Sequence, residues 1–151
     1  GQLVTAINEV KAFAQEKSGE VILIDTTGKK LKSIITGKYL DDCGNGIIST
    51  EVSEQVAPGR VEYVKLYFDE NGRISKEDAR WRMRLSEGLA PYRDEKTKKY
   101  GYVNESGTWV IAPAFDAAER FQDGYAVVAN EITLADGTRD VEWGIIQNPN
   151  R

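Results

Sequence analysis

A chain of 151 residues with no histidine and a single cysteine, Cys43, holds few groups able to do chemistry. No Ser-His triad, His-ligated metal or intrachain disulfide can be assembled from it. Cys43 has no histidine to activate it, so its thiol reads as structural rather than nucleophilic. The 24 aspartates and glutamates supply material for a carboxylate-pair hydrolase. Adjacent pairs such as Asp69-Glu70 and Asp94-Glu95, however, fall in turn-like segments, and neighbours on a strand face opposite ways. The run from Asp41 to Ser49 has a calcium-loop outline, with Asp41, Asn45, Gly46 and Ser49 in suitable places. Cys43 then stands where a hard cation needs oxygen, and Val52 where it needs a bidentate glutamate. A second near miss surrounds Asp69, Asn71 and Asp78 but begins at Tyr67. Gly44-Asn45-Gly46 lacks the third glycine of a dinucleotide fingerprint and has no helical pattern after it. No catalytic residue, metal or cofactor is expected.

Binding chemistry is better represented. Trp81-Arg82-Met83-Arg84-Leu85 alternates apolar and basic residues, which predicts a strand with Trp81 on one face and Arg82 and Arg84 on the other. Two guanidinium groups so placed could meet a carboxylate or an acidic protein surface. Residues 51–61 and 131–140 read as long loops at corresponding places along the chain, while residues 93–99 are shorter there. Extensions at one repeat position map to one rim, where repeat proteins commonly bind. The net charge is -4 and the basic residues are dispersed, which argues against nucleic acid. The densest basic stretch, Lys96 to Lys99, reads as a solvated hairpin tip.

These residues need a scaffold, and the composition points to strands. Val and Ile number twelve each against eight Leu, and fourteen glycines punctuate the chain. The longest apolar run, Tyr125 to Ala129, is far too short to span a membrane as a helix. At the N-terminus Leu3, Ile7, Val10, Phe13 and Ala14 recur at helical spacing, with Lys17 and Gly19 where a helix would stop. That spacing predicts an amphipathic helix over 2–17, with residues 1–19 forming a cap on a sheet. Residues 20–151 then form the main body of a single compact domain. A lone cysteine suits the cytosol or an exported protein without disulfides, and an opening Gly1 instead of Met suggests a trimmed sequence.

Internal repetition organises residues 20–151. Asp25 to Gly28, Asp69 to Gly72 and Asn104 to Gly107 place a short polar side chain three residues before a glycine. Each follows an apolar residue and reads as a hairpin turn. Asn45-Gly46, Glu87-Gly88 and Asp123-Gly124 form a second landmark, 18, 16 and 17 residues after the first. Units therefore begin near Val21, Lys65 and Tyr100, and a fourth begins at Trp143-Gly144-Ile145-Ile146. Tyr100 to Asn104, Thr108 to Ala112 and Tyr125 to Ala129 give three strands per unit and about ten in all.

Leu85-Ser86-Glu87-Gly88-Leu89-Ala90, Tyr100-Gly101-Tyr102-Val103-Asn104-Glu105-Ser106-Gly107, Trp109-Val110-Ile111-Ala112-Pro113 and Phe121-Gln122-Asp123-Gly124-Tyr125-Ala126-Val127 together resemble the bacterial WG repeat, also called the KWG repeat. Trp143-Gly144-Ile145-Ile146 is similar to the start of the same signature. The first unit lacks an aromatic-Gly pair, and Lys65-Leu66 replaces it in the second. The resemblance implies an all-β antiparallel meander of about three repeats with no catalytic chemistry or cofactor attributed to it. A partly open propeller is the alternative arrangement. Physically, the glycine of the pair is expected to leave room for a ring from a neighbouring strand, and Tyr100, Trp109 and Trp143 to pack in the core. The expected function is a non-catalytic protein-binding or scaffold module. Carbohydrate binding through exposed aromatic rings is the alternative, and a carboxylate-pair hydrolase the third reading.

Overall fold

The computed structural model describes residues 3–6 and 11–150, and among these it contains fourteen strands and one short helix. Contacts divide the chain into two compact units, Gly1–Met83 and Arg84–Arg151. In the first, β1 (Leu3–Ala6), β2 (Lys11–Gln15), β3 (Glu20–Asp25) and β4 (Lys30–Thr36) form one sheet in chain order. A second sheet holds β5 (Asp41–Gly44), β6 (Ile47–Ala57), β7 (Arg60–Asp69) and β8 (Gly72–Ile74), and α1 (Lys76–Arg82) follows it. In the second unit, β9 (Ala90–Arg93), β10 (Tyr100–Val103) and β11 (Trp109–Phe115) form one sheet, and β12 (Ala117–Ala118), β13 (Tyr125–Thr133) and β14 (Arg139–Gln147) another. Every pairing is antiparallel between chain neighbours, so the molecule is an all-β meander. The strands outnumber the expected ten because β1 and β2 stand where a helix was expected, and the short strands β5 and β12 precede later hairpins.

Both repeated landmarks are turns with a physical reason for their sequence. Asn45-Gly46, Glu87-Gly88 and Asp123-Gly124 all have positive φ at both positions, from 53° to 86°. Two successive positive φ values define the type I′ turn, whose twist suits a two-residue hairpin. The Ser86 and Leu89 backbones exchange hydrogen bonds around one such turn, and Gln122 and Tyr125 do so around another. In the other landmark the Asp25 carboxylate accepts from the N–H groups of Thr27 and Lys29, and the Asn104 amide oxygen from those of Ser106 and Thr108. Gly28 and Gly107 donate back to the carbonyls of Asp25 and Asn104, closing the same turn twice. Asp69 also caps its turn, but there β7 and β8 join more tightly, with Asp69 directly opposite Gly72.

The register makes the repeat quantitative. Two residues after each type I′ glycine a cross-strand pair forms: Ile48 with Phe68, Ala90 with Val103, and Ala126 with Ile146. Counted back from the polar turn residue Asp25, the corresponding pair in the first sheet is Ala12 with Ile24. The leading hairpins also share one register, with Val4 opposite Ala14, Asp42 opposite Ile48, and Ala118 opposite Val128.

Two expectations about elements are corrected. Residues 3–6 and 11–15 of the predicted N-terminal helix are strands, while residues 2 and 7–10 lie outside the described residues. Val4 and Thr5 are β-branched and stiff at χ1, and β2 finds a full partner in the Val21-Ile22-Leu23-Ile24 run of β3. The helix is instead α1, whose last two residues, Trp81 and Arg82, open the segment read as an alternating strand. Its N-cap hydroxyl, Ser75, accepts the Asp78 N–H at 3.0 Å, and Glu77 and Asp78 put negative charge in the first turn. The Ser75-x-x-Asp78 spacing carried that signal, and it outweighs a five-residue alternation.

Each unit has its own apolar cluster. Phe13, Val21, Leu23, Leu40, Ile48, Leu66 and Phe68 form the first. Leu89, Tyr102, Ala118, Phe121, Ala126 and Val128 form the second, where the Tyr102 and Phe121 rings lie 4.8 Å apart.

Candidate functional site

The residues singled out for binding do not form one constellation. Trp81 sits in α1 and is buried, its indole N–H donating to the Asp78 carboxylate at 3.3 Å. Arg82 pairs with Asp69 at 2.8 Å, and both side chains are largely screened from water. Arg84, in the second unit, donates to the Ala118 carbonyl at 3.2 Å. Beside it lies a depression of about 390 Å³ lined by Arg84, Ser86, Glu119, Arg120, Phe121 and Gln122. Arg120 is itself engaged with the Leu85 carbonyl. The anticipated loops are also something else. Residues 51–57 belong to β6, and residues 131–133 and 139–140 to β13 and β14, so both extensions are the far ends of long two-stranded ribbons.

The aromatic residues separate by position. Tyr102, the second aromatic of Tyr100-Gly101-Tyr102, is fully buried, its hydroxyl donating to the Glu119 carbonyl at 2.8 Å. Burial pushes the phenol up to about 12. Tyr100 packs against the same cluster, partly covered. Trp109 and Trp143, expected in the core, are instead 38% and 63% exposed. Trp109 lies against Tyr92, ring centroids 5.7 Å apart, at the outer strand of its sheet. The expected room for a ring beside Gly101 is also corrected. A Cβ there would come within 2.8 Å of the Ala112 and Pro113 backbone, so the glycine admits the bent main chain of β11.

One surface stands out in the second unit. Tyr125 and Val127 of β13 face the same way as Val141, Trp143 and Ile145 of β14, because Val127 opposes Ile145, Ala129 opposes Trp143 and Glu131 opposes Val141. All five named apolar side chains are exposed, Ile145 at 72%. β14 is the edge of its sheet, so unpaired backbone groups border this face. The opposite face carries the buried Ala126 and Val128. Sequence reasoning noted Trp143-Gly144-Ile145-Ile146 as a repeat start but assigned its ring to the core. The usable signal was the alternation of Val141, Trp143 and Ile145, which sets all three side chains on one face of a strand.

The polar groups near this face are structural. The Glu87 carboxylate accepts the Gly124 N–H at 2.9 Å, and the buried Asn148 side chain donates to the Glu87 carbonyl at 3.1 Å. Lys99 pairs with Asp116, which also accepts the Glu131 N–H; the ammonium first, then that N–H, hold its carboxyl below the usual range. Among the described residues no three of Asp, Glu and Cys gather in a way that could hold a metal. Nor is any helix there long and apolar enough to cross a membrane.

Such a chain of register-matched antiparallel hairpins, three of them opened by a type I′ turn, is a β-repeat protein. The family model described as the WG containing repeat matches residues 100–131, and this stretch is a WG repeat. No curated protein and no solved structure matches the chain.

Proposed function

We propose that this chain is a non-catalytic protein-binding or scaffold module that works through the outer face of β13 and β14. The observation that carries the reading is the cluster of Tyr125, Val127, Val141, Trp143 and Ile145, all exposed on one side of an edge ribbon. Contiguous apolar patches on soluble proteins mark interaction sites, and Trp and Tyr are the residues that dominate binding energy at them. The free edge of β14 adds main-chain donors and acceptors for a partner strand. The test is a photoreactive benzoylphenylalanine at Val127, irradiated in cells. A discrete protein adduct is expected that disappears in Ile145→Glu and does not form from the control position Thr138. Absence of an adduct, or the same adducts from Thr138, overturns the reading.

The exposed Trp143 ring also supports carbohydrate binding, since sugars stack on flat aromatic faces. Under that alternative a glycan series quenches tryptophan fluorescence, and Trp143→Ala removes the effect.

A further inference from the structure

The depression beside Arg84 is built from one repeat position used twice. Arg84 and Arg120 each stand four residues before a type I′ glycine, Gly88 and Gly124, and Ser86 and Gln122 each stand two before it. In the first unit the same places hold Asp42 and Gly44, so the paired arginines belong to the second. Each arginine reaches across to the other segment: Arg84 donates to the Ala118 carbonyl and Arg120 to the Leu85 carbonyl, both at 3.2 Å. The Ser86 hydroxyl donates to the Phe121 carbonyl at 2.6 Å, and the Tyr102 hydroxyl to that of Glu119 at 2.8 Å. These side chains lace residues 84–86 to residues 118–121, so the walls are fixed in advance of any ligand.

The guanidinium pair expected of Arg82 and Arg84 is supplied by Arg84 and Arg120, because Arg82 is committed to Asp69. Among the described residues neither Arg84 nor Arg120 is in an ion pair. Each spends on its carbonyl one of five N–H donors, and the rest keep the fork geometry that takes a carboxylate. Glu119 lines the same space and is likewise in no ion pair among the described residues. Its charge and that of Arg84 both reach the Tyr102 hydroxyl: burial raises that phenol most, Arg84 opposes the rise and Glu119 adds to it. A simple anion here meets Glu119 as well as the arginines, and like charges repel. A ligand that carries an ammonium group beside its carboxylate satisfies all three. The space, about 390 Å³, falls in the range of small-molecule sites.

We infer that this depression binds a free α-amino acid, its carboxylate on Arg84 and Arg120 and its ammonium on Glu119, with the Gln122 amide at the rim for the remainder of the ligand. The site shares no residue with the outer face of β13 and β14 and stands independently of the protein-binding reading. The second unit thus takes a small polar ligand at the base of its turns and a protein on its ribbon.

The experiment is amide NMR on the 151-residue protein, titrated singly with the common L-amino acids up to about 10 mM. Inorganic phosphate and the N-acetyl derivative of the tightest amino acid serve as controls. At least one amino acid is expected to shift the amides of residues 84–86 and 119–122 saturably. Glu119 and Arg120 are exposed, so Glu119→Gln and Arg120→Gln keep the fold, which the rest of the amide spectrum checks. Arg120→Gln should weaken binding by about tenfold or more, the worth of a charge-assisted hydrogen bond. Acetylation removes the ammonium charge, so it should weaken binding to the parent protein by a similar factor and change little in Glu119→Gln. The inference is overturned if no amino acid shifts these amides, if the shifts map elsewhere, or if Arg120→Gln binds like the parent. Phosphate or the N-acetyl derivative binding as tightly as the amino acid also overturns it, because a plain anion site has no use for the ammonium.

Discussion

Gly101 and Gly144 occupy equivalent places after an aromatic residue, yet different forces act on them. At Gly101 the bent backbone of β11 fills the space a Cβ would need, whereas at Gly144 the nearest atom is a Val128 methyl at 3.8 Å. Neither has the positive φ that favours glycine, so the difference is steric alone. Gly101→Ala should cost about 2 kcal/mol or more, because backbone of a bulged strand must move. Gly144→Ala should fall within about 0.5 kcal/mol of the parent. Urea melts of the two variants measure both, and equal effects would contradict the assignment. Gly101 shows how far residue type alone carries: the aromatic-Gly pair was recognisable, but whether ring or backbone claims the space depends on a strand ten residues later.

At the scale of elements, the turns hold most of the legible information. A polar residue three before a glycine marked the hairpins at Asp25 and Asn104 because the side chain satisfies two backbone N–H groups that a tight loop leaves unpaired. Asp94 and Asp136 do similar work in other loops. Hydrogen bonds from Thr27, Thr97 and Thr138, hydroxyl first, hold the carboxyls of Asp25, Asp94 and Asp136 below the ordinary value. Their folded values lie below their unfolded ones, so the unfolded chain binds more protons in acid. The stabilisation is complete above the unfolded carboxylate range and drains as pH falls through the folded values. Thermal scans should therefore show a melting temperature steady from neutrality to about pH 5 and falling below about pH 4. Replacing the three aspartates by Asn should flatten that acid limb, since Asn104 already fills the same role without titrating. An unchanged acid limb in the triple variant would refute the mechanism.

The N-terminal segment and α1 show why elements were harder to read than turns. In 2–17, apolar spacing suited a helix, but over Lys11–Gln15 a neighbouring four-residue apolar run offered strand pairing and won. In 81–85, a short alternation suited a strand, but a serine cap and two acidic residues upstream stabilised a helix that runs through Trp81 and Arg82. In both places local periodicity was ambiguous, and the partner decided.

At the scale of the molecule, one repeat position has different energetic weight according to what covers it. Leu23→Ala should cost about 2–5 kcal/mol, as expected for a packed core leucine. Ile145→Ala, at the equivalent but exposed position, should stay within about 0.5 kcal/mol. Denaturant melts of the two variants make the comparison. A costly Ile145→Ala would mean that its face is already buried.

The all-β class, the repeat and its two families of turns were written in the sequence, because turn geometry and strand preference depend on residues within a few positions of each other. The WG likeness over residues 85–129 was local in the same sense. The placement of Trp81, Trp109 and Trp143 was decided by tertiary structure. Burial depends on which strand packs over a ring, and that strand is distant in sequence. The candidate site is of this second kind: Tyr125, Val127, Trp143 and Ile145 are ordinary strand residues until register sets them on one face and the fold leaves that face open.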